Sequence, residues 1–244
     1  MTAFEVGTSG WQYRHWRGDF YPQKLPVARW FEHYAGVFST VELNNSFYRQ
    51  PDNDTWEHWH DQSPPGFRYA VKANRFITHM KRFKEPEDPI ERFLNGAERL
   101  KAHLGPVLFQ APPNFHRTAE NLQRLDAFFA AIPRRIRSVI EFRHTSWYDD
   151  ETYELLRRRH VSFCIHDMTR LVTPVIATGP IAYLRFHGSG ARYGGDYSDG
   201  MLRDWTKRVR DLSRDVESVW CYFNNDIGGY APGNALALRE MLED

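Results

Sequence analysis

Short apolar runs alternate along the chain with longer stretches whose apolar residues recur at helical spacing. The runs are rich in Val, Ile, Phe and Tyr, which favour strands. Eight strands are predicted, at Phe4–Thr8, Thr40–Leu43, Arg68–Lys72, Pro106–Gln110, Val139–Phe142, Val161–Ile165, Ile181–Phe186 and Val219–Phe223. Seven helices are predicted between and after them, at Ala28–Gly36, Asn53–Gln62, Pro89–His103, Ala119–Ala131, Glu151–Arg159, Asp199–Leu212 and Asn234–Leu242.

This alternation predicts a parallel sheet in an α/β protein. The 244 residues contain no linker or low-complexity tract, so we assign 1–244 to a single (β/α)8 TIM barrel. The segment Asp167–Pro180 is too short for a full helix and contains several Val and Thr residues. The sixth helix is therefore expected to be short or missing. An open doubly wound sheet is the alternative, but the first turn, Gly7–Trp11, lacks the full dinucleotide-binding glycine pattern.

Four of the predicted strands end in two polar residues that are two positions apart. These pairs are Glu42/Asn44, Lys72/Asn74, Glu141/Arg143 and Arg185/His187. Because alternate residues of a strand face the same side, both members of a pair point one way. In a barrel that side can be the interior, at the strand ends where catalytic groups collect. The sequence thus predicts a functional site at the C-terminal ends of the strands.

The catalytic candidates among these residues are Glu42, Lys72, Glu141 and His187. Across a barrel, the carboxyl groups of Glu42 and Glu141 could approach to roughly 6–9 Å, a spacing that suits paired acid–base chemistry. Glu42 and Lys72 lie on neighbouring predicted strands and could pair directly. His187 and one of the glutamates are the expected proton-transfer groups, because the environment can bring their pKa values near neutrality.

Further polar and aromatic residues near the strand ends are the substrate-binding candidates. They are Trp11, Asn44, Tyr48, Gln110, Arg143, Asp167, Arg185, Asn224 and Asn225. Arg143 and Arg185 could grip a carboxylate or phosphate in a bidentate manner, and Trp11 could stack on a ring. Strand parity allows only one of Asn224 and Asn225 to face inward. Alternatively, the charged residues form internal ion pairs that fill the upper layer of the barrel, although buried charge is costly without a use.

Composition narrows the classes of partner. The 32 Lys and Arg residues nearly balance the 31 Asp and Glu residues, which argues against an extensive nucleic-acid surface. No compact metal-binding motif occurs, so no cofactor is predicted, with a divalent metal as the open alternative. The first residues lack a basic start followed by an apolar run, and no apolar segment reaches membrane length. A cytoplasmic protein without membrane association is expected, and its two cysteines are expected to be buried thiols.

Ordered motifs through nearly the whole chain resemble the YecE-like family, also known as domain of unknown function 72. They include Gly7–Trp11, Thr40–Asn44, Val71-Lys72, Glu141-x-Arg143-His144, Arg185–Gly188 and Phe223–Asn225. Tyr48, which follows Phe47, and Gln110, which precedes Pro112-Pro113, belong to the same set. The resemblance implies a TIM barrel, but it implies no reaction.

The leading functional hypothesis is a metal-independent hydrolase or lyase that acts on a small anionic substrate bearing a phosphate or carboxylate. Glu42 or Glu141 would be the base and His187 the acid. One alternative is a glycosidase-like enzyme that uses the two glutamates as its carboxylate pair. Another is a non-catalytic module that binds a nucleic-acid end or a protein. The sequence leaves the substrate and the oligomeric state open.

Overall fold

The computed structural model describes residues 2–168, 171–190 and 193–244. The strands are β1 (Ala3–Thr8), β2 (Thr40–Leu43), β3 (Arg68–Lys72), β4 (Leu104–Gln110), β5 (Ser138–Glu141), β6 (Ser162–Met168), β7 (Leu171–Val172), β8 (Ile181–Phe186) and β9 (Ser218–Phe223). The α-helices are α1 (Trp30–Ala35), α2 (Asn45–Tyr48), α3 (Asn53–Gln62), α4 (Glu87–Ala97), α5 (Ala119–Ala130), α6 (Asp150–Arg159), α7 (Asp199–Leu212) and α8 (Tyr230–Glu243). Short 3-10 helices at Arg14–Trp16, Val27–Arg29, Glu98–His103 and Thr145–Trp147 and a π-helix at Phe76–Met80 complete the set.

Eight of these strands form a nearly closed parallel barrel. Their order is β1-β9-β8-β6-β5-β4-β3-β2, and β1 returns to β2 through a parallel bridge between Ser9 and Glu42. Glycine is needed where these two strands approach, because a β-carbon on Gly7 would overlap the carbonyl group of Thr40. The predicted TIM-barrel fold is confirmed, and the alternative of an open doubly wound sheet is excluded.

The connection between β6 and β8 departs from the strand–helix alternation. The two-residue strand β7 pairs antiparallel with the end of β6, and residues 173–180 form irregular backbone. The described residues of this connection therefore contain no helix, in agreement with the prediction that the sixth helix is short or missing. The predicted helix Pro89–His103 is divided: α4 ends at Ala97, and a 3-10 helix follows, within which Lys101 adopts a positive φ of 48°.

The side chains of the barrel segregate by strand parity into an inner and an outer core. The inner core consists of Ala70, Leu108, Val139, Cys164, Ile181, Tyr183, Trp220 and Tyr222. The outer core lies between the strands and the helices and contains most of the remaining buried apolar residues. Both cysteines are buried free thiols, as expected. The inner core fills the barrel interior, so a ligand can reach the barrel only at its ends.

Aromatic residues after β1 cover part of the C-terminal end of the barrel. The rings of Tyr21 and Trp30 stack with centroids 4.7 Å apart, and Trp16 is buried beside Tyr21. These rings pack as a small core beneath the long loop. In the described part of the chain, no helix is both long enough and apolar enough to cross a membrane.

Candidate active site at the C-terminal ends of the strands

A buried arginine joins the two glutamates that the sequence placed at the strand ends. Arg185, on β8, donates from Nη1 to Oε2 of Glu141 at 2.6 Å and from Nη2 to Oε1 of Glu42 at 2.8 Å. All three side chains are buried, with both glutamates fully inaccessible to solvent. Burial would lower the pKa of Arg185, but the two carboxylates outweigh it and raise this pKa well above the usual value. The barrel interior thus holds a Glu–Arg–Glu ion network.

Further donors saturate the Glu42 carboxylate. The hydroxyls of Ser9 and Tyr183 each donate to it at 2.7 Å, and the Asn44 amide donates at 3.3 Å. Burial would raise the pKa of Glu42, but the charge of Arg185 and these hydrogen bonds outweigh it and lower the pKa. Glu42 is therefore ionised at neutral pH and has no exposed oxygen with which to act as a base.

The Glu141 carboxylate is equally engaged. Gln110 donates to Oε1 at 2.9 Å, and Nε of Arg143 pairs with the same oxygen. Burial would raise the pKa of Glu141, but Arg143 and then Arg185 hold it well below its usual range. Glu141 therefore cannot supply a proton near neutral pH.

Lys72 has no such partner. Within the described residues its amine makes neither a hydrogen bond nor an ion pair, and it lies 4.0 Å from the centroid of the Phe47 ring. The direct pair with Glu42 does not form, because Arg185 and two hydroxyls already occupy that carboxylate. Burial, followed by repulsion from Arg185, lowers the pKa of Lys72 to about 7. Lys72 is thus the group of this cluster that can exchange a proton at neutral pH.

The predicted acid, His187, lies in the interior above Arg185. Its Nε2 is 3.3 Å from a terminal nitrogen of Arg143, and its Nδ1 is 3.3 Å from the Asn224 amide. Because a guanidinium can only donate, Nε2 accepts in the contact with Arg143. Burial, with the charges of Arg185 and Arg143, lowers the pKa of His187 well below its usual value. The ring is therefore neutral at physiological pH.

A cavity of 370 Å³ opens beside this network. It is lined by Phe47, Tyr48, Lys72, Arg75, His79, Met80, Gln110 and Tyr193. Two of these residues are cations and none is acidic. Arg75 forms no ion pair with any described residue, whereas Arg143 and Arg185 are committed to buried partners. The cavity therefore presents positive charge to a ligand, and the glutamates lie outside its lining.

The remaining candidates divide between this site and structural roles. Tyr48 is exposed at the edge of the cavity, and Gln110 lines it. Trp11 and Asn44 line a separate pocket of 160 Å³, where Trp11 is largely buried with its ring against Phe31.

Two candidates point away from the cluster. Asp167 follows the inward-facing His166, so it faces outward and accepts a hydrogen bond from the Trp205 indole at 3.3 Å. Asn225 is fully buried and its amide donates to the Asn234 side chain at 2.8 Å. Asn224 is the inward residue of its pair, as parity required. The predicted grouping of Asp167 with the other charges at the rim is wrong, because strand parity alternates.

The sequence reasoning missed four residues that complete the cluster. Ser9 and Tyr183 bind Glu42, and Arg75 lines the cavity. His166 is buried and its ring centroid lies 6.0 Å from that of His187. Tyr183 precedes Arg185 by two residues on β8, so strand parity alone indicates that its side chain faces the barrel interior. Nothing in the sequence pattern indicates Ser9 or Arg75, which lie beyond the predicted strands.

The same cations bear on metal binding. The described residues contain no group of three or more His, Cys, Asp or Glu side chains that could hold a metal ion. At the glutamates, a divalent cation would have to displace the guanidinium of Arg185 or Arg143 from the carboxylate oxygens.

Comparison with known proteins gives the family. The family model described as protein of unknown function DUF72 matches residues 5–244. The chain belongs to the DUF72 family. A relative from Bacillus subtilis strain 168, UPF0759 protein YunF, is 28% identical over 278 aligned positions that cover 98% of this chain and 94% of YunF. The resemblance to the YecE-like family is thereby confirmed.

Solved DUF72 structures share the fold. A DUF72 family protein from Thermotoga maritima MSB8 is 33% identical, with a TM-score of 0.91 and coverage of 99% of this chain and 100% of that chain. One from Enterococcus faecalis V583 is 22% identical, with a TM-score of 0.86 and coverage of 99% and 96%. A glycoside hydrolase family 5 enzyme from Prevotella bryantii B14 reaches a TM-score of 0.50 at 10% identity over 98% and 96% of the two chains. This last similarity shows the barrel fold alone.

Proposed function

We propose that this DUF72 protein is an acid–base enzyme, a hydrolase or lyase, that binds a small anionic substrate at the C-terminal end of the barrel. In this proposal, Lys72 transfers the proton and no metal takes part. The observation that carries it is the 370 Å³ cavity, whose described lining residues include Lys72 and Arg75 and no acid. A pocket of this size holds a small molecule.

The assignment of proton transfer to Lys72 rests on comparison with the other titratable groups. Glu42 and Glu141 are ionised and bound by several donors, and His187 is buried and neutral. Lys72 reaches the cavity and has a pKa of about 7, near the value at which a group both accepts and releases protons efficiently. The glutamates then serve to hold Arg185 and Arg143 in place.

The preference for an anion rests on unbalanced charge. Arg75 has no acidic partner among the described residues, and at low pH the Lys72 ammonium adds a second positive charge. An arginine can bind a carboxylate or phosphate with two parallel hydrogen bonds. Arg75, rather than Arg143 and Arg185, which are paired with buried glutamates, is therefore assigned the anion contact.

The glycosidase alternative is less well supported. Glu42 and Glu141 bind opposite ends of one guanidinium and line neither the cavity nor the smaller pocket. A glycosidase needs one carboxyl with a raised pKa as its acid, whereas both of these pKa values are lowered. No observation favours a nucleic-acid or protein-binding module.

Sulfate titration by calorimetry at pH 6 and pH 8 tests the proposal, because sulfate keeps its charge across this interval. We expect wild-type affinity to be several-fold higher at pH 6, where Lys72 is protonated. Lys72→Met should remove this pH dependence, and Arg75→Glu should weaken binding about tenfold or more. Arg214→Glu, at an exposed arginine, is the matched charge control and should bind as wild type. Equal binding by wild type and Arg75→Glu would refute the anion assignment.

A further inference from the structure

The geometry points to a covalent role for Lys72: its amine forms an imine with the carbonyl carbon of a small oxo acid bound in the 370 Å³ cavity. This inference rests on the proposed function, since it uses the same cavity and the same anion contact at Arg75. It narrows the substrate class to compounds that carry both a carbonyl group and an anionic group.

Lys72 differs from every other lysine of the chain in its surroundings. The sequence contains six lysines, and Lys72 alone is buried while still lining a cavity. By contrast, Lys207 on α7 is exposed and lies 3.8 Å from the carboxylate of Asp204. An amine without a carboxylate partner can release its proton and expose its lone pair, which an ion-paired ammonium cannot do.

The charges around Lys72 favour the neutral amine. After burial, Arg185 and Arg143 lower its pKa, while Glu141 and Glu42 oppose them, and the resulting value is about 7. A lysine with this pKa is about half neutral at pH 7, against roughly one part in a thousand or less for an exposed lysine. Nearby His79 has a pKa lowered to about 4 by burial and by Lys72 itself, so it stays neutral and adds no charge.

The cavity also supplies the contact that would orient the substrate. Arg75 lines the cavity together with Lys72 and is free of acidic partners in the described residues. A carboxylate bound to Arg75 would bring the adjacent carbonyl group of a short oxo acid towards the amine. Phe47, whose ring faces the amine, shields the reacting nitrogen on one side.

The chemistry balances without a further reactant. The neutral amine adds to the carbonyl carbon, one C–O bond breaks, and the oxygen leaves as water. One proton is taken up from solvent, so the product is a protonated imine, and no electrons are transferred. The positively charged nitrogen withdraws electrons from the neighbouring bonds, which assists cleavage or proton removal next to the former carbonyl. This favours the lyase branch of the proposed function.

Reductive trapping provides the direct test. The whole protein is incubated with pyruvate and cyanoborohydride at pH 7, and adducts are located by intact mass and peptide mapping. We expect one adduct per chain, on Lys72, with a labelling rate that rises through pH 7. Lys72→Arg should lose at least nine-tenths of the label, whereas the matched control Lys207→Arg should keep it. Labelling spread over the exposed lysines, or unchanged in Lys72→Arg, would overturn the inference.

Two additional measurements separate this inference from the proposed function. Pyruvamide, which keeps the ketone of pyruvate but carries no negative charge, should label Lys72 more slowly than pyruvate, and sulfate should protect against pyruvate. Sulfate binding that depends on Arg75, combined with no adduct on Lys72, would overturn the imine and leave the proposed function intact. Equal labelling by pyruvamide and pyruvate without sulfate protection would overturn the anionic substrate instead. Thermal unfolding of Lys72→Arg and Lys72→Met establishes that both variants are folded.

Discussion

Replacement of Arg185 by methionine probes the ion network at the centre of the barrel. The substitution keeps much of the apolar length of the side chain and removes the guanidinium that binds Glu42 and Glu141. It leaves two buried carboxylates close together, with their other donors in place but without the shared positive charge. We expect a large loss of stability that depends on pH.

The magnitude follows from the distances and the burial. At 2.6 and 2.8 Å, each ion pair contributes an attraction of about 6 kcal/mol at an effective dielectric constant near 20. Desolvation of the three buried groups offsets most of this attraction, so the intact network adds little net stability. Removal of Arg185 leaves that desolvation uncompensated and should cost about 3–5 kcal/mol. This is a large share of the roughly 5–15 kcal/mol that stabilises a folded protein.

Urea unfolding at several pH values is the assay. In the wild type the pKa values of Glu42 and Glu141 are lowered. Their contribution to stability is therefore present above their unfolded pKa of about 4.3 and is lost as the pH falls through the lower folded values. Without Arg185 the pKa of Glu42 should be raised, whereas Glu141 keeps Arg143 as its ion partner. The variant is therefore penalised at pH 8 and relieved as Glu42 protonates. The difference in free energy of unfolding should therefore narrow between pH 8 and pH 5.

Two comparisons decide the result. Arg214→Met removes an exposed arginine whose nearest acid, Asp211, lies 3.4 Å away, and it should change stability by only about 0.5 kcal/mol. Adding Glu42→Gln to Arg185→Met should restore much of the lost stability, because Glu42 is then uncharged and Glu141 keeps Arg143 as its ion partner. A loss below 1 kcal/mol, a constant difference across pH, or no restoration in the double variant would refute the reasoning.

Three further predictions follow from individual contacts. Tyr183→Phe removes one hydroxyl donor from the ionised Glu42 and should cost about 1–3 kcal/mol in urea unfolding; no loss would mean that the 2.7 Å hydrogen bond contributes nothing. Asp167→Asn should leave sulfate binding unchanged in calorimetry, since Asp167 faces Trp205 outside the cluster. Weakened sulfate binding would show that Asp167 does contribute to the site. His187 has a lowered pKa, so its stabilising effect is complete above the unfolded pKa near 6.5 and is lost as the pH falls. His187→Asn should therefore flatten the dependence of the free energy of unfolding on pH between pH 6.5 and 5, by up to about 1.4 kcal/mol per pH unit. An unchanged slope, measured by urea unfolding in steps of half a pH unit, would contradict a neutral buried imidazole.

The strands were the most predictable part of the molecule. Apolar runs at period two placed β2 and β3 at the residues where the structure has them, Thr40–Leu43 and Arg68–Lys72. Helix boundaries were less accurate: α8 begins at Tyr230, earlier than its apolar periodicity indicates, and α2 is too short for a periodic pattern to mark. A segment of only a few residues shows little helical periodicity, and its conformation is decided by tertiary packing.

The sequence alone determined which residues face the barrel interior. Alternation along a strand is a local property of the backbone, so Glu42, Glu141, Arg185 and His187 could be placed on one face before any contact was known. The same rule speaks against Asp167, which the sequence prediction wrongly grouped with the site, because its neighbour His166 pairs with Arg185 and faces inward.

Only the tertiary structure decided which of these groups pair and which one is left free. Arg185 reaches Glu42 across 143 positions of the chain, and no local pattern specifies a contact that exists only when the barrel closes. Because Arg185 occupies the carboxylate of Glu42, Lys72 does not pair with Glu42. Burial then disfavours the positive charge on the unpaired Lys72 amine. The reactive character assigned to Lys72 is therefore a product of its surroundings, since an exposed lysine would stay protonated at neutral pH.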